Sequence, residues 1–291
     1  MKIKKAIILS GGTGSRLFPL TKVLSKQILP VYDKPMIYYP LSTMMLIGIK
    51  EFLIISSNQH ITFFKNLLGN GKNLGLKIKY KSQKKPEGIA QAITLGKSFI
   101  GKDDFALILG DNILFGGNIK ETLKSVEKNS VSTVVIQPVE NPEAYGVIKL
   151  NSQNKPIKII EKPKKYVSNL AVIGLYFYKN KAIEYVSKLG KSLRGELEIT
   201  DLNNIFIKKN SLTTIKLGRS VSWFDAGNAN SLHDVSSLIK GFQERTGEII
   251  SSPEEISLRN GWITKAKLKK LIKKKLNSKY YLKLDYLINH F

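Results

Sequence analysis

The run Gly11-Gly12-Thr13-Gly14-Ser15-Arg16 follows an apolar segment and combines two features that suit an anion. Three glycines let backbone N–H groups converge with no side chains in the way. Arg16 adds a cation with a fixed fork of donors. No Gly-Lys-Ser/Thr follows, so this is not a Walker A loop, and Gly12-Thr13-Gly14 lacks the third glycine of the dinucleotide fingerprint. Read alone, the segment is equally a glycine turn. Asp111 lies just beyond a second apolar run, Phe105–Leu109. With Asn112 it has the composition of a tight turn. It also has the chemistry of a Mg²⁺ ligand, since that ion takes few carboxylates and completes its shell with water and phosphate oxygens. Lys26, in Ser25-Lys26-Gln27-Ile28-Leu29-Pro30, is one lysine among many, and its type alone marks no site.

The elements that would position these groups alternate along residues 1–140. Lys4–Ser10, Glu51–Ser57, Phe105–Leu109 and Val131–Pro138 read as buried strands, and Leu76–Tyr80 alternates as a half-buried strand does. Pro35–Ile47, the stripe Phe63, Phe64, Leu67 and Leu68, and Gly88–Ile100 read as helices. Such alternation predicts an α/β fold, a mostly parallel, Rossmann-like nucleotide-binding sheet flanked by helices, with ligands at the C-terminal ends of its strands. Tyr145–Leu150, Ile157–Glu161 and Val172–Tyr178 are then β-rich with little helix between them, as antiparallel hairpins attached to the main sheet would be. Helical patterns return at Lys181–Leu189, Glu196–Ile207 and Ser231–Glu244, and the tail from residue 253 is helical and very basic. No repeat or low-complexity linker divides the chain, so one α/β domain with C-terminal helices is expected.

Gly11–Arg16, Ser25-Lys26-Gln27, Leu29-Pro30 and Tyr32-Asp33-Lys34-Pro35-Met36-Ile37-Tyr38-Tyr39-Pro40-Leu41-Ser42 together closely resemble the glucose-1-phosphate thymidylyltransferases, within the sugar-phosphate nucleotidyltransferases. The related uridylyl-, adenylyl- and cytidylyl-transferases share the glycine-rich loop and the Lys-Pro theme, and look less like the Tyr32–Pro40 stretch. The likeness continues in order through Leu109–Asn112, Tyr145–Val147, Glu161–Pro163, Gly174–Tyr178, Arg194–Asp201 and Trp223–Gly227, covering nearly the whole chain.

The resemblance implies Mg²⁺-dependent transfer of a thymidylyl group from dTTP to glucose 1-phosphate. The products are dTDP-glucose and pyrophosphate, an early step toward dTDP-sugars such as dTDP-rhamnose. It implies that Gly11, Gly12, Thr13 and Arg16 wrap the triphosphate, with Asp111 beside it, and that Lys26 lies near the reacting phosphates. Gln83 and Gly88 match residues that read thymine, a task a glutamine amide suits because it offers both an acceptor and a donor. Asp111 and Asp225 match the metal carboxylates. Asn112, Gly146, Glu161, Lys162, Val172 and Arg194 match the sugar-phosphate side, with Glu161 accepting from sugar hydroxyls and Lys162 and Arg194 holding the phosphate. Tyr145, Tyr176 and Trp223 are candidate pocket walls. Arg16, Lys26, Asp111 and Lys162 are the expected catalytic groups. On this reading 1–140 is mainly nucleotide-binding, 141–227 mainly sugar-phosphate-binding, and 228–291 a helical appendage. Arg219, Glu255, Ile256 and Arg259 match a regulatory nucleotide-sugar site, and the family's assemblies imply a homotetramer. The chain departs from the family at Ser10, where alanine is common, and at Ala226 and the residues after Gly227, next to a proposed metal ligand.

The formal net charge of +25 invites a nucleic-acid-binding alternative, but only five of the 47 basic residues are arginines: Arg16, Arg194, Arg219, Arg245 and Arg259. The lysines are scattered apart from a cluster at 265–275, which reads as compositional bias rather than a phosphate-gripping surface. No nucleic-acid partner is expected. A chain without cysteine has no disulfide and no thiolate metal site. Ala6–Leu9 is too short for a signal-peptide core, and no run reaches the roughly 18 apolar residues of a membrane span. A cytoplasmic protein with no membrane partner is therefore expected. A uridylyltransferase of the same fold is the other alternative.

Overall fold

The computed structural model describes residues 1–290. Its strands are β1 (Lys5–Ser10), β2 (Pro30–Val31), β3 (Lys34–Pro35), β4 (Glu51–Ser57), β5 (Lys77–Gln83), β6 (Phe105–Leu109), β7 (Asn112–Gly116), β8 (Ser132–Pro138), β9 (Gly146–Leu150), β10 (Pro156–Glu161), β11 (Leu170–Tyr178), β12 (Leu212–Lys216) and β13 (Val221–Asp225). Its α-helices are α1 (Tyr38–Leu46), α2 (Ile61–Leu68), α3 (Gln91–Leu95), α4 (Lys97–Ile100), α5 (Ile119–Lys124), α6 (Ala182–Val186), α7 (Ile199–Lys208), α8 (Ala229–Thr246), α9 (Pro253–Arg259), α10 (Lys265–Ile272) and α11 (Lys279–Asn289).

The main sheet runs β10-β9-β11-β6-β1-β4-β5, with β8 beside β11 and β12 beside β8. Strands β5, β4, β1 and β6 are mutually parallel. β11 then runs antiparallel to β6, and β9 with β10 forms the expected antiparallel hairpin. Alternate residues of β1 face opposite cores. Ala6 and Ile8 pack with α1, α2 and α5, while Ile7 and Leu9 pack with α3, α6 and α7. Burial on both faces is why β1, β4 and β6 read as unbroken apolar runs. β5 alternates because it is an edge, with Lys77 exposed and Ile78 buried; its lysines discourage pairing with another chain.

Several expected bounds shift for local reasons. The helix expected from Pro35 starts at Tyr38, because Pro35 belongs to the β2–β3 turn-back. Pro40 falls in the first turn of α1, where its missing N–H costs no helical bond. The single helix expected over Gly88–Ile100 is two short ones. Gly88 lies outside with φ +99, and Gly96 separates α3 from α4; a Cβ on Gly96 would meet Ile7 at 2.6 Å. The ribbon β7–β13 is formed by two short segments that no local sequence pattern marks as strands.

Helix α8 begins at Asn228, whose side chain accepts from Ser231 N–H at 3.0 Å, and ends at Gly247 with φ +76. Ile256 on α9 joins the main core, while α10 and α11 close a smaller one around Leu268, Ile272, Leu284 and Ile288. Among the described residues no helix is long and apolar enough to cross a membrane.

Candidate active site

Parallel strands bring their C-terminal ends to one edge, and the chemistry collects there. The loop after β1 turns through Gly12 (φ +99) and Gly14 (φ +62), conformations that glycine adopts without strain. Gly11 is required for another reason: a Cβ there would lie 2.1 Å from Gln83 Oε1, at the end of β5. The Gly110 N–H donates to the Leu9 carbonyl at 2.9 Å, fastening the end of β6 to that of β1 and presenting Asp111 beside the glycine loop. The Lys26 ammonium donates to the Asp111 carboxylate.

The ribbon completes the group. β13 pairs antiparallel with β7 so that Asp225 sits opposite Asn112, and Ala226 N–H donates to the Asp111 carbonyl at 3.1 Å. A Cβ on Gly227 would come within 2.6 Å of Arg16 Nη2 and 2.9 Å of Asp225 Oδ1, so any larger residue in this turn would crowd both groups. Burial, then the charge of Asp111, push the Asp225 carboxyl up to about 6, against the pull of Lys26, Arg16 and Lys162. A buried carboxylate raised by a second one beside it fits a divalent cation. Among the described residues no cluster of three or more His, Cys, Asp or Glu side chains could hold a metal. Two hard oxygen donors are enough for Mg²⁺ when phosphates and water supply the rest.

Two cavities meet at this point. One, of about 360 Å³, is lined by Gly11, Gly12, Thr13, Lys26, Gln83, Gly88 and Asp111. The other, of about 610 Å³, is lined by Arg16, Asn112, Gly146, Glu161, Lys162, Val172, Arg194 and Asp225, and again by Asp111. The expected nucleotide and sugar-phosphate residues thus separate into adjoining spaces, except Arg16, which faces the second. Tyr145, Tyr176 and Trp223 also line the larger cavity, Tyr145 meeting Trp223 edge-on at 5.3 Å. Asn112 Oδ1 is occupied by Trp223 Nε1 (2.7 Å) and Gly174 N–H (3.1 Å). Glu161 Oε2 accepts from Thr200 Oγ1 at 2.6 Å. Lys162 holds a left-handed φ of +44, its N–H donating to the Tyr145 carbonyl at 3.0 Å; such strain in a non-glycine residue collects at functional sites.

Residues 5–241 match the family described as Nucleotidyl transferase. The chain belongs to the nucleotidyl transferase family. It is 45% identical over 277 residues to a glucose-1-phosphate thymidylyltransferase of Neisseria meningitidis, an alignment covering 95% of this chain and 96% of that one. It is 43% identical over 259 residues to one of Mycobacterium tuberculosis, covering 89% and 90%. Among solved structures, a Bacillus anthracis protein described as a glucose-1-phosphate thymidylyltransferase, in complex with a sucrose, superposes with a TM-score of 0.74 at 40% identity, covering 80% of this chain and 94% of that one. A UDP-glucose pyrophosphorylase complexed with UDP-glucose gives 0.74 at 26% identity, covering 83% and 100%.

Arg194 of this nucleotidyltransferase is already engaged by carboxylates. Its guanidinium meets Glu198 at 2.9 Å, Glu161 at 3.5 Å and Glu196 at 3.9 Å. Gly88 touches the same loop: a Cβ there would lie 2.4 Å from the Leu197 carbonyl, and Leu197 N–H donates to the Glu87 carbonyl at 2.7 Å. The Gly88 end of one cavity and the Arg194 wall of the other are therefore one packed unit. Of the residues matched to a regulatory site, Glu255, Ile256 and Arg259 share α9, Arg259 Nε donating to Glu255 at 2.8 Å. Ile256 is buried, and Arg219 is exposed on the turn before β13.

Thr200 and Asn203, both on α7, line the larger cavity and were not singled out from the sequence. A threonine and an asparagine three apart on a helix carry no chemical signature, and only the approach of α7 to β10 reveals them. Lys34 turns out to be structural. It is buried against Asp33 (2.5 Å) and Gln243 (3.2 Å), tying the β2–β3 turn to α8.

Proposed function

We propose that this nucleotidyltransferase moves a thymidylyl group from dTTP to glucose 1-phosphate, forming dTDP-glucose and pyrophosphate. The observation that carries the reading is Asp111 at the seam of two cavities, one edged by the glycine loop and Gln83, the other by Glu161 and Lys162. The names of the relatives supply the substrates. A phosphate oxygen of the sugar phosphate attacks the α-phosphorus of the triphosphate. The bond from that phosphorus to the bridging oxygen breaks, and pyrophosphate leaves with the electron pair. The nucleophile is already an anion, so no general base is required. The residues hold two mutually repelling anions together. Arg16, Lys26 and Lys162 all act on Asp225 and so converge on the seam. Asp111 and Asp225 would hold Mg²⁺, which when bound neutralises phosphate charge.

The same reading includes a homotetramer, a regulatory nucleotide-sugar site around Arg219, Glu255, Ile256 and Arg259, and a cytoplasmic enzyme feeding dTDP-sugars such as dTDP-rhamnose. Sedimentation at micromolar concentration tests the assembly, and a monomer would count against it. The activity is tested by pyrophosphate release from dTTP, UTP, dCTP, ATP and GTP with glucose 1-phosphate. The highest kcat/KM is expected for dTTP; a clear preference for UTP would replace this reading with uridylyl transfer.

A further inference from the structure

Gln83, the last residue of β5, is buried, and its amide is not free to turn. Its Nε2 donates to Gln91 Oε1 at 2.5 Å. Gln91 Oε1 also accepts from the Glu87 backbone N–H at 3.1 Å, and Gln91 Nε2 donates to Glu87 Oε2 at 2.7 Å. The other Glu87 oxygen is held by Lys191 at 2.5 Å. The direction of this chain is set by Glu87, through both its carboxylate and its backbone N–H. A carboxylate accepts and does not donate, so Gln91 must turn its NH₂ toward Glu87 and its oxygen toward Gln83. Facing an oxygen, Gln83 must in turn present its own NH₂ to Gln91. Gln83 Oε1 is left over Gly11, in space that any larger residue would fill.

We propose that Gln91 and Glu87 are positioning residues for base selection, locking the polarity of the Gln83 amide so that the cavity admits an imide edge and rejects cytosine. This rests on the thymidylyl reading above. An imide ring N–H donates to Oε1, while the neighbouring carbonyl accepts the remaining N–H of Nε2. Cytosine in the same pose sets its ring-nitrogen lone pair against Oε1 and its amino group against that N–H. A freely turning amide would accommodate cytosine by exchanging oxygen and nitrogen, and the relay removes that option. Thymine and uracil share the imide edge, so the relay does not separate them. Gln91 stands behind Gln83, outside the cavity lining, and acts only through it.

The test compares kcat/KM for dTTP, UTP and dCTP, with glucose 1-phosphate, in the wild type and in Glu87→Gln, Gln91→Leu and the double variant Glu87→Gln/Gln91→Glu. Glu87→Gln keeps the shape but can donate or accept, so only the backbone N–H of residue 87 still holds the direction. In Gln91→Leu the dTTP-to-dCTP ratio should fall roughly tenfold or more, as the loss of one matched hydrogen bond implies, and in Glu87→Gln it should fall by less. The change should lie in KM for dCTP, with kcat for dTTP close to wild type. The double variant Glu87→Gln/Gln91→Glu offers Gln83 only acceptors, gives the new carboxylate an NH₂ partner at position 87, and should keep the wild-type ratio. Equilibrium binding of dTTP and dCTP without sugar phosphate should show the same shift. A uniform loss over all nucleotides, with the ratio unmoved in Glu87→Gln and Gln91→Leu, would overturn the proposal. The wild type separates the two readings: failure to use dTTP sinks the thymidylyl assignment, whereas normal dTTP use with an unmoved ratio in the variants sinks only the relay.

Discussion

The Ala226 N–H donates to the Asp111 carbonyl at 3.1 Å, and this one backbone bond joins the two carboxylates of the site. Asp111 follows β6 and Asp225 ends β13, so the bond holds the two residues side by side at the seam of the cavities. An amide supplies it whatever the side chain, which explains why alanine serves at position 226.

Asp111→Asn and Asp225→Asn keep size and remove charge. Each should lower kcat by roughly two powers of ten, since metal stabilisation of a transferring group is worth several kcal/mol. Because both act on one ion, the double variant should be little worse than either single one. Activity measured against Mg²⁺ concentration decides; full activity at ordinary Mg²⁺ in either variant removes that aspartate from the metal site.

Asp225 should also leave a pH signature in stability. Its carboxyl is raised in the folded state from 3.8 to about 6, so the folded protein binds this proton more tightly than the unfolded chain. The resulting stability is fully present below about pH 4 and is lost as pH rises through about 6. Asp225→Asn escapes the loss. Without Mg²⁺ it should exceed wild type at pH 8 by on the order of 2 kcal/mol, and the two should converge near pH 4. A constant difference in Tm across that range would show that Asp225 does not titrate in this way.

Gly11→Ala puts a Cβ 2.1 Å from Gln83 Oε1 and must displace that amide. Gln83→Leu removes it. Both should raise KM for dTTP, Gln83→Leu by the roughly 1–3 kcal/mol of an unpaired polar edge, and weaken discrimination among pyrimidines. Unchanged kinetics for every nucleotide in Gln83→Leu would take Gln83 out of the base site.

Lys162→Ala should weaken glucose 1-phosphate binding while dTTP affinity, measured without sugar phosphate, barely moves. Arg194→Ala should do the same by a different route, since it releases Glu161 and Glu198 from their cation. Titrations of each ligand alone distinguish the cases, and an equal loss of both affinities would refute the assignment of these residues to the sugar side.

The sequence by itself determined the sheet's centre and the kind of site at its edge. β1, β4 and β6 are buried on both faces, so each had to be an unbroken apolar run, and the glycines and Arg16 that follow β1 carry their chemistry in their types. Motif order along the chain carried the family. Only the tertiary structure decided which distant groups meet. β7 and β13 are five-residue strands without clean alternation, and their pairing, which delivers Asp225 to Asp111, is a long-range contact that no local period encodes. The direction of the Gln83 amide is set by Gln91 and Glu87, and the partners of Arg194 by Glu161 and Glu198. A hydrogen bond or an ion pair depends on ångström-scale distances between side chains, and those distances exist only once the sheet, the ribbon and α7 have packed.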